Sequence, residues 1–120
     1  MRREIKPIVW MGSSREALQS FPEQVRRDIG QALYAAQQGE TDPAAKPLKG
    51  FGGARVMEIV DRHETNAYRA VYTTRFPGRI YVLHAFQKKS TTGSATPQKE
   101  IELIRQRLAG AARHDKERQD

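Results

Sequence analysis

The sequence predicts one α+β domain in which helices near both ends of the chain pack on an antiparallel β-sheet. Two helical patterns lie near the start, three β-type runs joined by short turns occupy the middle, and a further helical pattern follows. Runs of strands flanked by helices, without regular β–α alternation, are typical of the α+β class. The chain has 120 residues, of which 38% are hydrophobic, and this suffices for one compact core.

The N-terminal part predicts a short strand followed by a helical hairpin. Residues 6–11, KPIVWM, are a β-type run. The segment SSREALQSF begins with serines suited to N-capping and predicts a first helix. Pro22 fits the first turn of a second helix, whose apolar stripe contains Val25, Ile29 and Leu33. Because the connection between the two helices is short, we expect them to form a hairpin.

The middle of the chain predicts the sheet. Residues 40–54 are punctuated by proline and glycine and predict a loop. Three β-type runs follow at residues 55–62, 66–76 and 79–88. Their connections, HET and PG, are long enough only for hairpins, so we predict an antiparallel meander. The third run is apolar at both alternating sets of positions, which predicts a central strand covered on both faces.

A last helix is predicted after a polar loop. The dipeptide TP at 96–97 is suited to begin it, and Ile101 and Ile104 start its apolar stripe. The final segment, RHDKERQD, is charged, and we expect it to fray. The sequence therefore predicts a single domain over residues 1–112 and a charged tail over residues 113–120.

The composition excludes several classes of protein. The chain has no cysteine, so disulfides, thiol nucleophiles and thiolate metal sites are absent. Its three histidines are far apart in sequence, and we predict no metal site and no cofactor. No apolar run approaches the roughly 20 residues of a membrane-spanning helix. The basic start lacks the apolar segment of a secretory signal, so we predict a cytoplasmic protein without a membrane partner.

The charge of the chain predicts a polyanionic partner. Lysine and arginine total 21 against 14 aspartates and glutamates, which gives a formal net charge of +7. Such an excess on a small domain favours contact with a phosphate backbone, because binding releases condensed counterions. The alternatives are that the charge serves solubility alone or pairs with an acidic protein.

Arg69 is the most informative of the cations in the predicted sheet. It lies in mid-strand between Tyr68 and Ala70, where burial without a partner costs free energy. Three arrangements are open: the side chain reaches solvent, it pairs with Glu58, or its face of the sheet is open to a ligand. The planar guanidinium is well suited to bind phosphate through two hydrogen bonds.

Strand geometry separates the two lysines that end the third β-type run. Successive side chains point to opposite faces, so Lys88 shares a face with His84, whereas Lys89 lies on the other face. Unless a bulge intervenes, only one of the two lysines shares a surface with the mid-strand arginine. The same alternation puts His84 beside Ile80 and Val82 and favours a core histidine over a catalytic base.

The order of these elements, together with several short motifs, resembles a known family. A strand, a helical hairpin and the loop KPLKG precede strands that contain YRAVY (68–72) and LHAFQKKS (83–90), and TPQKEI (96–101) begins the last helix. This pattern resembles the RelE/HigB superfamily of toxins from bacterial type II toxin–antitoxin modules, and more narrowly its phage-derived HigB-like branch. The match covers about residues 4–110 and rests on order and spacing rather than on one motif.

The resemblance implies a RelE-like fold and a metal-independent endoribonuclease that cleaves ribosome-bound mRNA, that is, an mRNA interferase that inhibits translation and arrests growth. It implies three partners, namely the ribosome, mRNA and a cognate antitoxin, which often has a helix-turn-helix domain. An alternative is a non-nuclease of the same fold, similar to the ParE toxins that poison DNA gyrase by protein binding. A third possibility is a small basic binding protein without toxicity.

Carried over residue by residue, the resemblance puts catalytic roles on Arg69, as a phosphate clamp, and on Lys88 and Lys89, with Lys89 favoured to face the site. Repulsion within a cluster of cations lowers lysine pKa values, which suits a lysine for acid or base catalysis. Further RNA or ribosome contacts are expected from Lys46, Lys49, Arg55, Arg62, Tyr72, Phe86 and Lys99. The two aromatic residues are candidates for stacking on bases, with core packing as the alternative. Many relatives have a tyrosine or histidine near the last helix that has no counterpart in STTGSATPQK, so the general base is not identified.

Overall fold

The structure is a computed structural model that describes residues 4–88 and 96–118 of the chain. These residues form a mixed α+β fold, so the α+β part of the predicted fold class is confirmed. In chain order the elements are β1 (Ile8–Trp10), α1 (Ser14–Gln19), α2 (Glu23–Gln37), β2 (Ala45–Pro47), β3 (Val56–His63), β4 (Asn66–Thr73), β5 (Ile80–Lys88) and α3 (Gln98–Glu117). A short 3₁₀ turn at Gly52–Ala54 leads into β3.

The strands pair in the order β1-β5-β4-β3-β2. β3, β4 and β5 form the predicted antiparallel meander, but β1 runs parallel to β5, with Ile8 opposite Ile80. The sheet is therefore mixed, and the prediction of a simple antiparallel meander is wrong. A short connection between two strands predicts a hairpin from the sequence. Two helices and three strands separate β1 from β5, so no local signal in the sequence predicts that these two strands pair.

A second departure lies in the segment 40–54, which the sequence predicts to be a loop. Within it, Ala45–Pro47 form the edge strand β2, antiparallel to β3, with Lys46 opposite Glu58. Proline is compatible with this position, because an edge strand needs backbone hydrogen bonds on one side only. A strand of three residues that contains proline carries almost no β-propensity, and this explains why the sequence does not reveal it.

A β-bulge in β5 determines which side chains share a face of the sheet. Val71 lies opposite His84, whereas the next residue, Tyr72, lies opposite Val82, so Leu83 is an extra residue in β5. Val82 packs under the helical hairpin, while His84 lies on the face that α3 covers, beside its cross-strand neighbour Val71. The prediction that His84 shares a face with Val82 is therefore wrong, because strict alternation does not continue across an inserted residue.

Two apolar clusters, one on each face of the sheet, form the core. The first packs α2 on the sheet and includes Val25, Ile29 and Leu33, each at most 2% exposed. The second packs α3 on the opposite face around the fully buried Ile104. β5 contributes residues to both clusters, so it is covered on both faces, as predicted. Burial of each large apolar side chain contributes roughly 1.5–3 kcal/mol.

The C-terminal helix is longer than the sequence predicts. α3 continues to Glu117, through most of the tail that we expected to fray. Two contacts hold this part on the sheet: Arg79 Nη1 donates to Asp115 Oδ1 at 2.7 Å, and Tyr81 Oη lies 2.8 Å from His114 Nδ1. The helix therefore extends beyond residue 112, where the sequence predicts a charged tail, because Arg79 and Tyr81 bind side chains of its last turns.

A pair of carboxylates joins α2 to β3. Asp61 of β3 is half-buried beside Asp28 of α2, and Gln24 Nε2 donates to Asp28 Oδ1 at 2.9 Å. Burial first, and then the hydrogen bond and the charge of Asp28, raise the pKa of Asp61 to about 6. Below that pH the folded protein retains a proton that Asp61 loses in the unfolded chain.

We expect Asp61→Asn to raise the free energy of unfolding at pH 7 by on the order of 1 kcal/mol, because the fold disfavours the charged carboxylate. The stabilising contribution of the protonated Asp61 is present at low pH and is lost as pH rises from 3.8 through about 6. Thermal unfolding curves of the two proteins should therefore agree below pH 3.8, diverge as pH rises to about 6, and keep a constant difference above it. The exposed control Glu102→Gln should show no divergence, and equal stabilities of Asp61→Asn and wild type at pH 7 would contradict the raised pKa of Asp61.

Candidate functional site

A cleft opens between the β2 edge of the sheet and the start of α3. Its volume is about 900 Å³, near the upper end of the range of roughly 300–1,000 Å³ for small-molecule pockets. Its polar lining consists of five cations, one carboxylate and two neutral side chains: Lys46, Lys49, Arg62, Arg69, Arg105, Glu58, Thr96 and Gln98. Positive charge therefore dominates the cleft among the residues that the structure describes.

An ion pair between Arg69 and Glu58 forms the floor of the cleft. Arg69 Nη1 donates to Glu58 Oε1 at 3.0 Å and to Oε2 at 3.1 Å, and the two side chains are only 4% and 12% exposed. Thr96, just before α3, donates from Oγ1 to Glu58 Oε2 at 2.9 Å. Of the three arrangements left open by the sequence, pairing with Glu58 is thus the one adopted, and the pair also lines the cleft.

The cations of the rim are more accessible than the arginine at the floor. Lys46 of β2 lies opposite Glu58, Lys49 belongs to the loop after β2, and Arg62 lies near the end of β3. These three side chains are exposed and line the same cleft as Arg69, so the structure brings the four cations together. This arrangement places solvated positive charge around a buried ion pair.

Arg105 is a fourth cation of the rim, and the sequence gives no reason to single it out. It extends from α3 toward the loop after β2, where its Nη2 donates to the carbonyl oxygen of Gly50 at 3.0 Å. Its guanidinium carbon lies 4.7 Å from the centre of the Phe51 ring. The side chain is exposed but held between two contacts. Its contribution depends on where α3 crosses the sheet, which the sequence does not show.

Three other predicted site residues lie away from the lining of the cleft. Lys88 is half-buried and, by register with Ala67, shares a face of the sheet with Arg69. Lys99 is exposed in the first turn of α3, and Arg55 is exposed just before β3, with a left-handed backbone (φ 53°). Lys89, which the family register favours over its neighbour, lies outside the described residues.

The two aromatic residues predicted to stack on RNA bases are part of the core. Tyr72 is 1% exposed and packs under the helical hairpin, on the face opposite the cleft. Burial, with a smaller effect from Asp42, raises the pKa of Tyr72 to about 12. Phe86 is 9% exposed, and its ring stacks on His84 at 4.9 Å. A stacking role for Tyr72 is therefore wrong in this fold, and Phe86 already has its aromatic partner.

His84 lies in a polar cluster that joins β5 to α3. Its Nε2 is 3.2 Å from Glu100 Oε2, and its Nδ1 is 3.2 Å from Arg107 Nη1. A guanidinium only donates hydrogen bonds, so Nδ1 accepts, and the ring proton lies on Nε2, which donates to Glu100. Arg107 also donates to the carbonyl oxygen of Leu83 at 3.0 Å and to Ser13 Oγ at 3.2 Å. The cluster thus fixes one tautomer of a neutral imidazole.

Burial is the main cause that lowers the pKa of His84, and the charge of Arg107 lowers it further against the opposing effect of Glu100. Burial also lowers the pKa of Arg107. The chain before α1 approaches this guanidinium so closely that a Cβ at Gly12 would lie 2.7 Å from Arg107 Nε, and Gly12 has φ +55°. These contacts favour the interpretation of His84 as a histidine that holds α3 on the sheet.

Comparison with known proteins identifies the family of the chain. The fold is a small basic α+β domain with a cationic cleft beside its last helix. The family model described as "Phage derived protein Gp49-like (DUF891)" matches residues 16–109, and the chain belongs to this family. The family is related to the RelE/HigB-like toxins of toxin–antitoxin modules, and membership suggests an antitoxin as partner. No curated protein matches the chain.

Two further observations concern only the part of the chain that the structure describes. In residues 4–88 and 96–118, no cluster of three or more histidine, aspartate or glutamate side chains is arranged to hold a metal ion. Within the same residues, every helix is too short or too polar to cross a bilayer.

We expect the imidazole of His84 to carry its proton on Nε2 at neutral pH and to titrate below pH 6.5, because burial disfavours the charged ring. The stability that this neutral ring contributes is present above pH 6.5 and is lost as pH falls from 6.5 toward the lower folded-state pKa. Imidazole ¹⁵N shifts measured against pH test both statements.

Arg107→Gln should raise the pKa of His84, because it removes a neighbouring positive charge. The matched control is Arg113→Gln on the same helix, which should leave the titration of His84 unchanged. A proton on Nδ1 at neutral pH, or an identical titration in Arg107→Gln and wild type, would contradict the arrangement.

Proposed function

We propose that this protein is the toxin of a type II toxin–antitoxin module and acts as a metal-independent endoribonuclease on ribosome-bound mRNA. The observation that carries the proposal is Arg69, at the floor of a cationic cleft, in a chain whose family is related to RelE/HigB-like toxins. A cleft of this charge favours a polyanion, because each neutralised phosphate releases counterions. Action on ribosomes requires that the protein reside in the cytoplasm.

Cleavage of RNA without a metal ion involves three tasks. A base removes the proton of the 2′-hydroxyl, whose oxygen attacks the phosphorus. Cations stabilise the pentavalent phosphate, and an acid protonates the 5′-oxygen as the bond between phosphorus and that oxygen breaks. These tasks require a base, a clamp and an acid around one phosphate.

We assign the clamp to Arg69, whose guanidinium lines the cleft. Glu58 is the candidate base, since it is the one carboxylate among the described residues of the lining. Lys88 and Lys89 are the candidates for the acid, from their place in the family register. Glu58 lies 3.0 Å from the clamp, so a phosphate that contacts Arg69 would lie within reach of the carboxylate.

The exposed cations of the rim are proposed to bind the RNA strand on either side of the scissile phosphate. Lys46, Lys49 and Arg62 surround the floor of the cleft. Arg55 and Lys99 lie outside the lining, and we propose them as contacts with the ribosome. We further propose that the antitoxin carries a helix-turn-helix domain, as similar modules often do.

The function is tested by primer extension on mRNA after induction of the protein in cells, together with a variant of Arg69. Arg69→Ala is unsuitable, because loss of one partner of a buried pair typically costs about 3–5 kcal/mol and could unfold the protein. Arg69→Lys keeps the charge but loses the planar guanidinium. We expect it to lower cleavage about 100-fold, whereas Arg62→Lys at the exposed rim should change it little.

Cleavage at codons in the ribosomal A site supports the proposal. Intact transcripts, together with inhibited DNA supercoiling by gyrase, would reject the nuclease and favour a ParE-like toxin. Growth arrest without either effect would also reject it. Thermal unfolding of Arg69→Lys establishes that the variant is folded, and full cleavage by a folded Arg69→Lys would contradict the role of the guanidinium.

Glu58→Gln tests the proposed base separately from the clamp. Glutamine is isosteric and accepts a hydrogen bond from Arg69, but it does not take up the proton of the 2′-hydroxyl. Because the change also removes the charged partner of Arg69, thermal unfolding must establish that the variant is folded. We expect single-turnover cleavage on programmed ribosomes to fall about 100-fold or more, while binding of an uncleavable RNA is unchanged or tighter. Unimpaired cleavage by Glu58→Gln would assign the base to another residue.

A further inference from the structure

The cations of the cleft belong to two groups that differ in burial and in neutralisation. Arg69 is 4% exposed and is paired with Glu58 at the floor. Arg105, by contrast, is exposed at the rim, and among residues 4–88 and 96–118 no carboxylate forms an ion pair with it. A polyanion that enters the cleft therefore meets the full charge of Arg105 but the partly neutralised charge of Arg69.

Arg105 is also preorganised, although it is exposed. Its guanidinium lies 4.7 Å from the centre of the Phe51 ring, and Nη2 donates to the carbonyl oxygen of Gly50 at 3.0 Å. An arginine held in this way loses less side-chain entropy when it binds a ligand. The contact with Phe51 is made through the guanidinium carbon, and the hydrogen bond to Gly50 engages one of the five N–H groups of the side chain.

Two exposed lysines complete the same part of the cleft. Lys46 and Lys49 lie in β2 and in the loop after it, which also contains Gly50, the residue that accepts the hydrogen bond of Arg105. The cleft, with a volume of about 900 Å³, is larger than one phosphate requires. Its size and its two groups of cations therefore suit a ligand with several negative charges along an extended chain.

We propose that Arg105, held on Phe51, forms with Lys46 and Lys49 a second phosphate-binding subsite, so that the cleft binds single-stranded RNA across at least two phosphates. The inference deepens the proposed function and rests on it for the identity of the ligand. RNA is favoured over an acidic peptide because a guanidinium in contact with an aromatic ring is also suited to contact a base, and aromatic or guanidinium stacking on bases is a general mode of binding single strands.

The test is the binding of labelled, uncleavable 2′-O-methyl oligonucleotides, an octanucleotide and a dinucleotide, measured by fluorescence anisotropy over a range of salt concentrations. Arg105→Gln should weaken binding of the octanucleotide about tenfold and reduce the slope of log K against log salt by about 0.7, the value for one phosphate of a single strand. Binding of the dinucleotide, which has one phosphate and is expected at Arg69, should not change.

The matched control is Arg113→Gln, which removes the same charge from an exposed position on the same helix outside the cleft. It should leave the salt slope as in wild type. Arg105→Lys retains the charge but loses the guanidinium that contacts Phe51, so it should keep the slope while the affinity still falls.

Three results would overturn the second subsite. The first is an equal loss of slope in Arg105→Gln and Arg113→Gln, and the second is an equal loss of affinity for the octanucleotide and the dinucleotide. The third is displacement of the octanucleotide by a polyglutamate peptide of the same charge as readily as by unlabelled RNA. The binding assay does not depend on cleavage. If the variants bind RNA as expected but the protein cleaves no mRNA on ribosomes, the proposed nuclease activity is rejected and the second subsite is still supported.

Discussion

A charged side chain in the interior of a sheet requires a partner, and the partner of Arg69 organises the floor of the cleft. Glu58 on the neighbouring strand binds the guanidinium, and Thr96 at the entry to α3 donates to the same carboxylate. Removing one member of a buried pair costs more than the pair contributes to stability. The need to pair Arg69 therefore fixes β3, β4 and the start of α3 relative to one another. The cleft lies beside this ion pair.

The two faces of the sheet serve different purposes. The face under the helical hairpin is mainly apolar apart from the pair of Asp61 and Asp28, and α2 packs on it through Val25, Ile29 and Leu33. The face under α3 combines an apolar cluster with a series of polar contacts that run along the helix from Glu100 to Asp115. Buried polar groups require specific partners, so they fix the position of α3 more narrowly than apolar packing alone. The cleft lies where this helix begins and the sheet extends beyond it.

Part of the candidate site follows from the sequence through local geometry. The short turn after His63 sets the register of β3 and β4, and this register puts Glu58 two residues along the strand from Val60, the residue opposite Arg69, and so on the same face. The pairing of Arg69 with Glu58 was therefore accessible from spacing alone as one of three alternatives. Arg105 was not, because its place in the cleft depends on the angle and register at which a distant helix crosses the sheet.

By itself, the sequence determined the α+β class, the two amphipathic stripes, the excess of positive charge and the family to which the chain belongs. It also singled out Arg69, because a mid-strand arginine requires an explanation wherever it occurs. Only the tertiary structure decided that β1 pairs in parallel with β5, that Leu83 interrupts the alternation of β5, and that α3 extends to Glu117. Periodicity and turn chemistry act between near neighbours, whereas strand order, a bulge and a helix terminus held by β5 depend on contacts between residues that are distant in the chain.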